Sequence, residues 1–165
     1  MEKKKIYCIV GDENMGKSSL IRALTGVRIG EPTRITFKST NLTRDFWVEM
    51  VSLQEEHKEE HKKEKHKSLS IKEAIELIKD KTESYFIIPL RFGSSKNSFS
   101  SAEEYLQAFL DKDGWIIENI VILGEDTFSN EALKSKLNVI TRIPQPFENT
   151  INKNASIIRE AWNFL

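Results

Sequence analysis

GDENMGKSSLIRALTG, residues 11–26, is the stretch that decides the fold. It opens by fitting G-x-x-x-x-G-K-[ST] at every fixed position, with Gly11, Gly16, Lys17 and Ser18. The spacing has a chemical reason. Glycines let a loop curl until successive backbone N–H groups point at phosphate oxygens, and the following helix aims its positive end at the same charge. On this reading Gly11, Asp12, Glu13, Asn14, Met15, Gly16, Lys17, Ser18 and Ser19 form a phosphate cradle. Lys17 reaches the β- and γ-phosphates of a nucleoside triphosphate, and the Ser18 hydroxyl completes the shell of a Mg²⁺ ion. The alternative is a glycine turn that happens to precede a helix, and the flanks speak against it. Residues 5–10, KIYCIV, are apolar and β-rich and run straight into Gly11. Leu20, Ile21 and Leu24 then recur at helical spacing, with Gly26 as a natural stop.

A chain of 165 residues that is 39% hydrophobic can bury a core as one domain, so residues 1–165 are read as a single nucleotide-binding unit. Lys plus Arg and Asp plus Glu number 25 each, giving zero net charge. That balance argues against a strongly basic nucleic-acid binder, a local basic patch aside, and no nucleic-acid partner is expected. Apolar runs such as YFIIPL, residues 85–90, fall far short of the ~18 residues that span a bilayer, so no membrane span is expected. The N-terminal MEKKKIYCIVG has the charge-then-apolar outline of a signal peptide, but its apolar run is only about five residues, so it reads as a first strand. Cys8 is the single cysteine and has no internal disulfide partner; it reads as a small core residue, and the expected compartment is the cytoplasm.

Further along, residues 26–33 contain two glycines and Pro32 and read as a loop. Residues 34–40 (RITFKST) and 46–53 (FWVEMVSL) alternate apolar and polar and suggest a β-hairpin or ribbon. Residues 54–67, QEEHKEEHKKEKHK, form either a solvated helix with i,i+4 Glu/Lys pairs or a disordered run. Ser70 with Glu73 and Ser101 with Glu104 are capping-box patterns, each ahead of an amphipathic stripe. Strands are expected at residues 85–90, 115–123 and 138–143, and helices at residues 131–137 and around Ile151, Ala155, Ile158 and Trp162. Strand and helix alternate, which implies an α/β fold with a mainly parallel sheet covered by helices.

GKSSLIRALTG, residues 16–26, resembles the first motif of the GTPase side of the P-loop superfamily. The succession of elements and the length resemble a Ras-type G domain. That resemblance implies a three-layer P-loop NTPase fold with about six strands, helices on both faces and Ras-like order. Gln54, Glu55 and Glu56 resemble the GQEE of small GTPases, which makes Gln54 the candidate for positioning an attacking water. Residues 97–106, NSFSSAEEYL, resemble the SF-plus-helix segment, and NIVILG at 119–124 stands where the guanine-recognition strand would be. In the family a threonine of the loop after the first helix contacts Mg²⁺ and the γ-phosphate. Thr36 has the Ras-like distance for that role, whereas Thr33 resembles the threonine of a dynamin-like T-R pair. Arg28, Arg34 and Arg44 lie on or beside the same loop, where an arginine can neutralise transition-state charge.

The chain also departs from that pattern. Aligning the QEE puts Met50 where D-x-x-G has its Asp and Leu53 where it has its Gly. Asp111 to Gly114 match the letters of D-x-x-G but read as a helix end. Asn152, Lys153 and Asn154 lack the acid of N-K-x-D and fall in the last helix, so guanine specificity is not implied and GTP and ATP both stand. Glu55 and Glu56, or Glu125 and Asp126, follow strand ends where an acid could serve Mg²⁺ or water, against the plainer reading of solvated surface acids.

His57-Lys58-Glu59-Glu60-His61 matches H-x-x-E-H, a zinc-protease signature whose two histidines share a helix face. Its surroundings are Lys, Glu and His with no apolar face to build a pocket, so a solvated charged run, weak metal binding and catalytic zinc are weighed in that order. The reading that emerges is a P-loop protein that binds a nucleoside triphosphate with Mg²⁺ and hydrolyses it slowly or with a partner's help, so a protein partner is expected. Two alternatives stand beside it: a degenerate GTPase-like interaction module, and a nucleotide or small-molecule kinase, for which Arg91 and Lys96 are the hints of a basic lid.

Overall fold

The computed structural model describes residues 3–27, 32–39, 42–54, 68–93, 100–125, 128–137 and 139–164. Arg28, Thr40, Glu55, Glu56, the three histidines, Lys96 and Asp126 lie outside the described residues. In chain order the elements are β1 (Lys4–Gly11), α1 (Lys17–Thr25), β2 (Thr33–Ser39), β3 (Leu42–Val48), α2 (Ile71–Asp80), β4 (Tyr85–Leu90), α3 (Ala102–Leu110), β5 (Trp115–Leu123), α4 (Glu131–Lys136), β6 (Ile140–Ile143) and α5 (Ile151–Ala161).

Apolar alternation places the layers. Along β1, Ile6, Cys8 and Val10 face one cluster while Tyr7 and Ile9 face the other, and the odd and even residues of β4 divide the same way. The first cluster is closed by α2, α3 and α4 through Ala74, Ile78, Tyr105, Phe109 and Leu133. The second is closed by α1 and α5 through Leu20, Ile21, Leu24, Ala155 and Ile158. The sheet therefore lies between two helical layers, as the alternation of elements implies. Each fully buried aliphatic side chain contributes roughly 1.5–3 kcal/mol to this arrangement. Cys8 is fully buried, and desolvation raises its thiol pKa well above the usual range. Among the described residues no helix is long and apolar enough to cross a membrane.

The six strands lie in the order β2-β3-β4-β1-β5-β6. Among the described residues only the β2–β3 hairpin is antiparallel; the other pairings are parallel. β4 thus stands between β1 and β3, so the strand that feeds the glycine loop is not a neighbour of the strand to which D-x-x-G was assigned. Glu118 is the extra residue of a bulge in β5, opposite Ile6 and Tyr7, and its carboxylate pairs with Lys5.

Both anticipated capping boxes form, at Ser70 with Glu73 and at Ser101 with Glu104. Asp111 caps α3, and Gly114 takes a φ of 80° in the turn into β5, which makes the residues of the stray D-x-x-G a helix end. β3 differs from expectation. It begins at Leu42, so polar residues that fall between the two expected strand stretches, 34–40 and 46–53, are ladder residues of an edge hairpin, with Thr43, Arg44 and Asp45 opposite Lys38, Phe37 and Thr36. It ends at Val48, because its pairing with β4 covers only Phe46, Trp47 and Val48.

Candidate phosphate-binding site

β1 is buried on both faces up to Gly11, where the chain turns. A Cβ at Gly11 would lie 3.1 Å from Leu123 Cβ and 3.2 Å from Leu123 O, so the loop leaves the sheet in close contact with β5. Asn14 and Gly16 then take φ values of 62° and 78°. Two left-handed residues so close together curl the backbone, and at Gly16 only glycine adopts that conformation without strain. The first helical hydrogen bond is Leu20 N–H to Gly16 O at 2.9 Å, so the amides of Ser18 and Ser19 belong to the open first turn. Here α1 differs from its neighbours. Ser70, Ser101, Asn130 and Thr150 each cap a helix through a side chain, whereas Gly16 offers none and the first turn of α1 contains no acid. The positive end of α1 therefore has neither a capping side chain nor an acid of its own first turn, a geometry that can take an anion.

Lys17 is only 6% exposed, and its Nζ donates to Gly11 O at 2.9 Å and Asp12 O at 2.6 Å. Its ammonium is folded into the curl of the loop. Ser18 Oγ donates to Met50 O at 2.7 Å. That bond parks the hydroxyl hydrogen and leaves the oxygen lone pairs for a cation. Met50 is the residue aligned with the Asp of D-x-x-G, and its side chain is buried in the α1/α5 cluster, as Leu53 is buried in the other. These residues could hold a phosphate, and Ser18 could serve Mg²⁺, with no carboxylate at the aligned position. The preceding acid, Glu49, is buried and accepts from Trp47 Nε1 at 2.6 Å. Among the described residues no three His, Cys, Asp or Glu side chains gather as a metal cluster.

Beside the loop runs a cleft of about 510 Å³. Asn14, Met15 and Ser19 form one wall, and Leu123, Phe147 and Asn154 stand on the other side. Phe147 is 71% exposed, a flat apolar ring with no cover. Asn154 is buried; its Nδ2 donates to Pro146 O at 2.8 Å, while its Oδ1 has no hydrogen-bond partner among the described residues. The cleft lies on the β5–β6 side of the loop.

Two of the expected site residues are not brought to the loop. Thr36 sits on the outermost strand and donates through Oγ1 to Asp45 Oδ1 at 2.6 Å, beside the Arg34–Asp45 ion pair. Asp45 precedes Phe46, whose register partner Tyr85 pairs in turn with Lys5, whereas the loop leaves β1 at Gly11. At ~3.3 Å per residue this separates Thr36 from the loop by about 20 Å along the strands. Its hydroxyl and Arg34 hold the Asp45 carboxyl below the usual carboxylate range instead. Gln54 is 1% exposed, and its amide is engaged at both ends. Nε2 donates to Arg91 O (2.9 Å) and Ser100 O (3.3 Å), and Oε1 accepts from Arg91 N (3.0 Å). That geometry clamps backbone and presents no group for orienting a water.

Arg91, a hint of a basic lid in the sequence, follows β4 directly and reaches the loop. Its guanidinium Nη2 lies 3.1 Å from Glu13 Oε2, an acid of the loop itself. Glu125, by contrast, is an exposed residue after β5. No family model matches the chain, and neither the curated proteins nor the solved structures give a match.

Proposed function

We propose that the chain binds the phosphates of a nucleoside triphosphate, GTP or ATP, in the loop from Gly11 to Ser19. The observation that carries this is the start of α1: a glycine-curled loop, no capping side chain, and the Lys17 ammonium folded inside. On arrival of the ligand, Lys17 exchanges the carbonyls of Gly11 and Asp12 for phosphate oxygens, a stronger charge-assisted pairing. Ser18 Oγ serves the accompanying Mg²⁺ while its hydrogen stays on Met50 O. Mg²⁺ supplies charge neutralisation between the phosphates when bound. The cleft beside Met15 and Ser19 takes the nucleoside, with the Phe147 ring available to stack on a base. Intrinsic hydrolysis is slow or depends on a protein partner, because Met50 brings no carboxylate to Ser18 and Gln54 is tied to backbone.

The test is calorimetric titration with ATP, GTP and their diphosphates, with and without Mg²⁺. Lys17→Ala is expected to abolish binding; unchanged affinity sinks the assignment. A second reading, an interaction module that binds nucleotide without turning it over, is favoured by the burial of Met50 and Leu53 where a switch motif would have Asp and Gly. Phosphate release above background from the pure protein with Mg²⁺ counts against that second reading.

A further inference from the structure

We propose that Arg91 reads the terminal phosphate of a triphosphate held in the loop, and that Glu13 keeps its guanidinium in place until that phosphate arrives. The inference rests on the nucleotide reading of the loop. Leu90 is the register partner of Val10, so Arg91 leaves β4 alongside Gly11, one strand spacing (about 4.8 Å) from where the loop begins. The side chain already contacts the loop, through Glu13 at 3.1 Å.

Direction comes from the layout of the sheet. β1 has β4 on one side and β5 on the other, and the cleft for the nucleoside lies on the β5 side with Leu123 and the residues between β6 and α5. A nucleotide that runs from this cleft through the cradle brings its last phosphate toward β4, where Arg91 stands. The α- and β-phosphates stop short of it.

Arg91 is also held more firmly than an ordinary surface arginine. Gln54 accepts from its N–H and donates to its carbonyl, and Ala102 N–H donates to the same carbonyl at 3.0 Å. This fixes the root of a side chain that is 23% exposed. Glu13, with its side chain 61% exposed, is the looser half of the pair. A phosphate in the cradle repels the Glu13 carboxylate and offers the guanidinium three oxygens in place of one carboxylate, so both effects drive the same exchange. The consequence is discrimination between triphosphate and diphosphate by one residue.

Calorimetric titrations with Mg²⁺ test this, using ATP, ADP, GTP and GDP, plus inorganic tripolyphosphate and pyrophosphate as base-free probes. Arg91→Ala is expected to weaken triphosphate binding on the order of tenfold or more and to leave diphosphate within about twofold. Glu13→Gln is expected to tighten triphosphate binding by about two- to fivefold, the worth of a half-exposed ion pair removed as competitor. Arg91→Lys, which keeps the charge without the fork, should fall between wild type and Arg91→Ala. Melting curves confirm that each variant is folded, and Arg91→Lys stands in if Arg91→Ala is not. Equal weakening of triphosphate and diphosphate overturns the proposal, as does unchanged triphosphate affinity in Arg91→Ala or Glu13→Gln. Lys17→Ala separates the two levels: if it too leaves every affinity unchanged, or if wild type binds none of the probes, the nucleotide reading itself fails.

Discussion

Replacing Gln54 with alanine distinguishes a backbone clamp from a residue that orients water. Gln54 is 1% exposed and makes three hydrogen bonds to backbone, at 2.9, 3.0 and 3.3 Å. In the variant the Arg91 N–H and the Ser100 carbonyl lose their partner, while Arg91 O keeps its bond from Ala102 N–H. A satisfied bond contributes about 1 kcal/mol, and a buried group left unsatisfied costs about 1–3 kcal/mol. Counting one orphaned donor, one weakly bonded carbonyl and the lost packing, Gln54→Ala should cost about 2–4 kcal/mol. For a domain of this size that is a fall of about 1–2 M in the urea midpoint, readable by far-ultraviolet circular dichroism. A residue poised toward solvent and substrate would behave oppositely, since functional side chains are commonly neutral or costly to stability. A loss below about 1 kcal/mol, on the scale of an ordinary surface substitution, would refute the clamp.

Gly16→Ala should destabilise the fold by about 1–2 kcal/mol through its φ of 78° alone, since the space around its Cβ is open; a melting curve checks it, and an unchanged melt is the contrary result. Thr36→Ala should leave Mg²⁺-nucleotide affinity within about twofold while the Asp45 carboxyl pKa rises toward its ordinary value, as read by NMR titration. A large affinity loss would return Thr36 to the site. Tyr7 and Tyr105 are both pushed up to about 12, chiefly by burial, against 10 in the unfolded chain. Because the folded pKa is the higher one, their contribution is complete below pH 10 and is lost as pH rises from 10 to 12. Their ionisation should therefore coincide with alkaline unfolding when tyrosinate absorbance and circular dichroism are followed together.

Local signals carried most of the fold. The capping boxes, the apolar strands and the glycine stops act within a few residues, and each falls where the sequence puts it. Features set by distant pairing were not legible. Succession of elements does not say on which side of β1 the chain will insert β4, and alternation alone ran β3 on past Val48, where the ladder gives way to separate bonds onto β4 from Glu49 N–H to Ile87 O and from Leu53 N–H to Pro89 O. The same division runs through the site. Lys17 and Ser18 follow from a local motif, and the structure sets both at the loop. Gln54 meets Arg91 across 37 residues, and Arg91 meets Glu13 only because Leu90 and Val10 share a register. A resemblance in the letters QEE could not foresee that contact. The burial of Met50 against α1 was equally hidden, because an apolar residue after an apolar strand looks the same in either face of a sheet.

The central position of β1 has a consequence for how the chain matures during synthesis. Lys5 pairs with Tyr85 and Lys4 with Trp115, so β1 is made well before either of its neighbours and waits for both. Its Tyr7 then packs against Phe46, Trp162 and Phe164, the last of which closes the aromatic cluster with Phe37. Such non-local pairing slows folding and leaves an apolar strand uncovered while translation continues. A nascent chain stalled after α1 would carry the whole phosphate motif without a sheet to hold it. On the nucleotide reading proposed above, affinity should switch on only after β4 and β5 have been made, and ribosome-bound intermediates short of that point are where a chaperone would act.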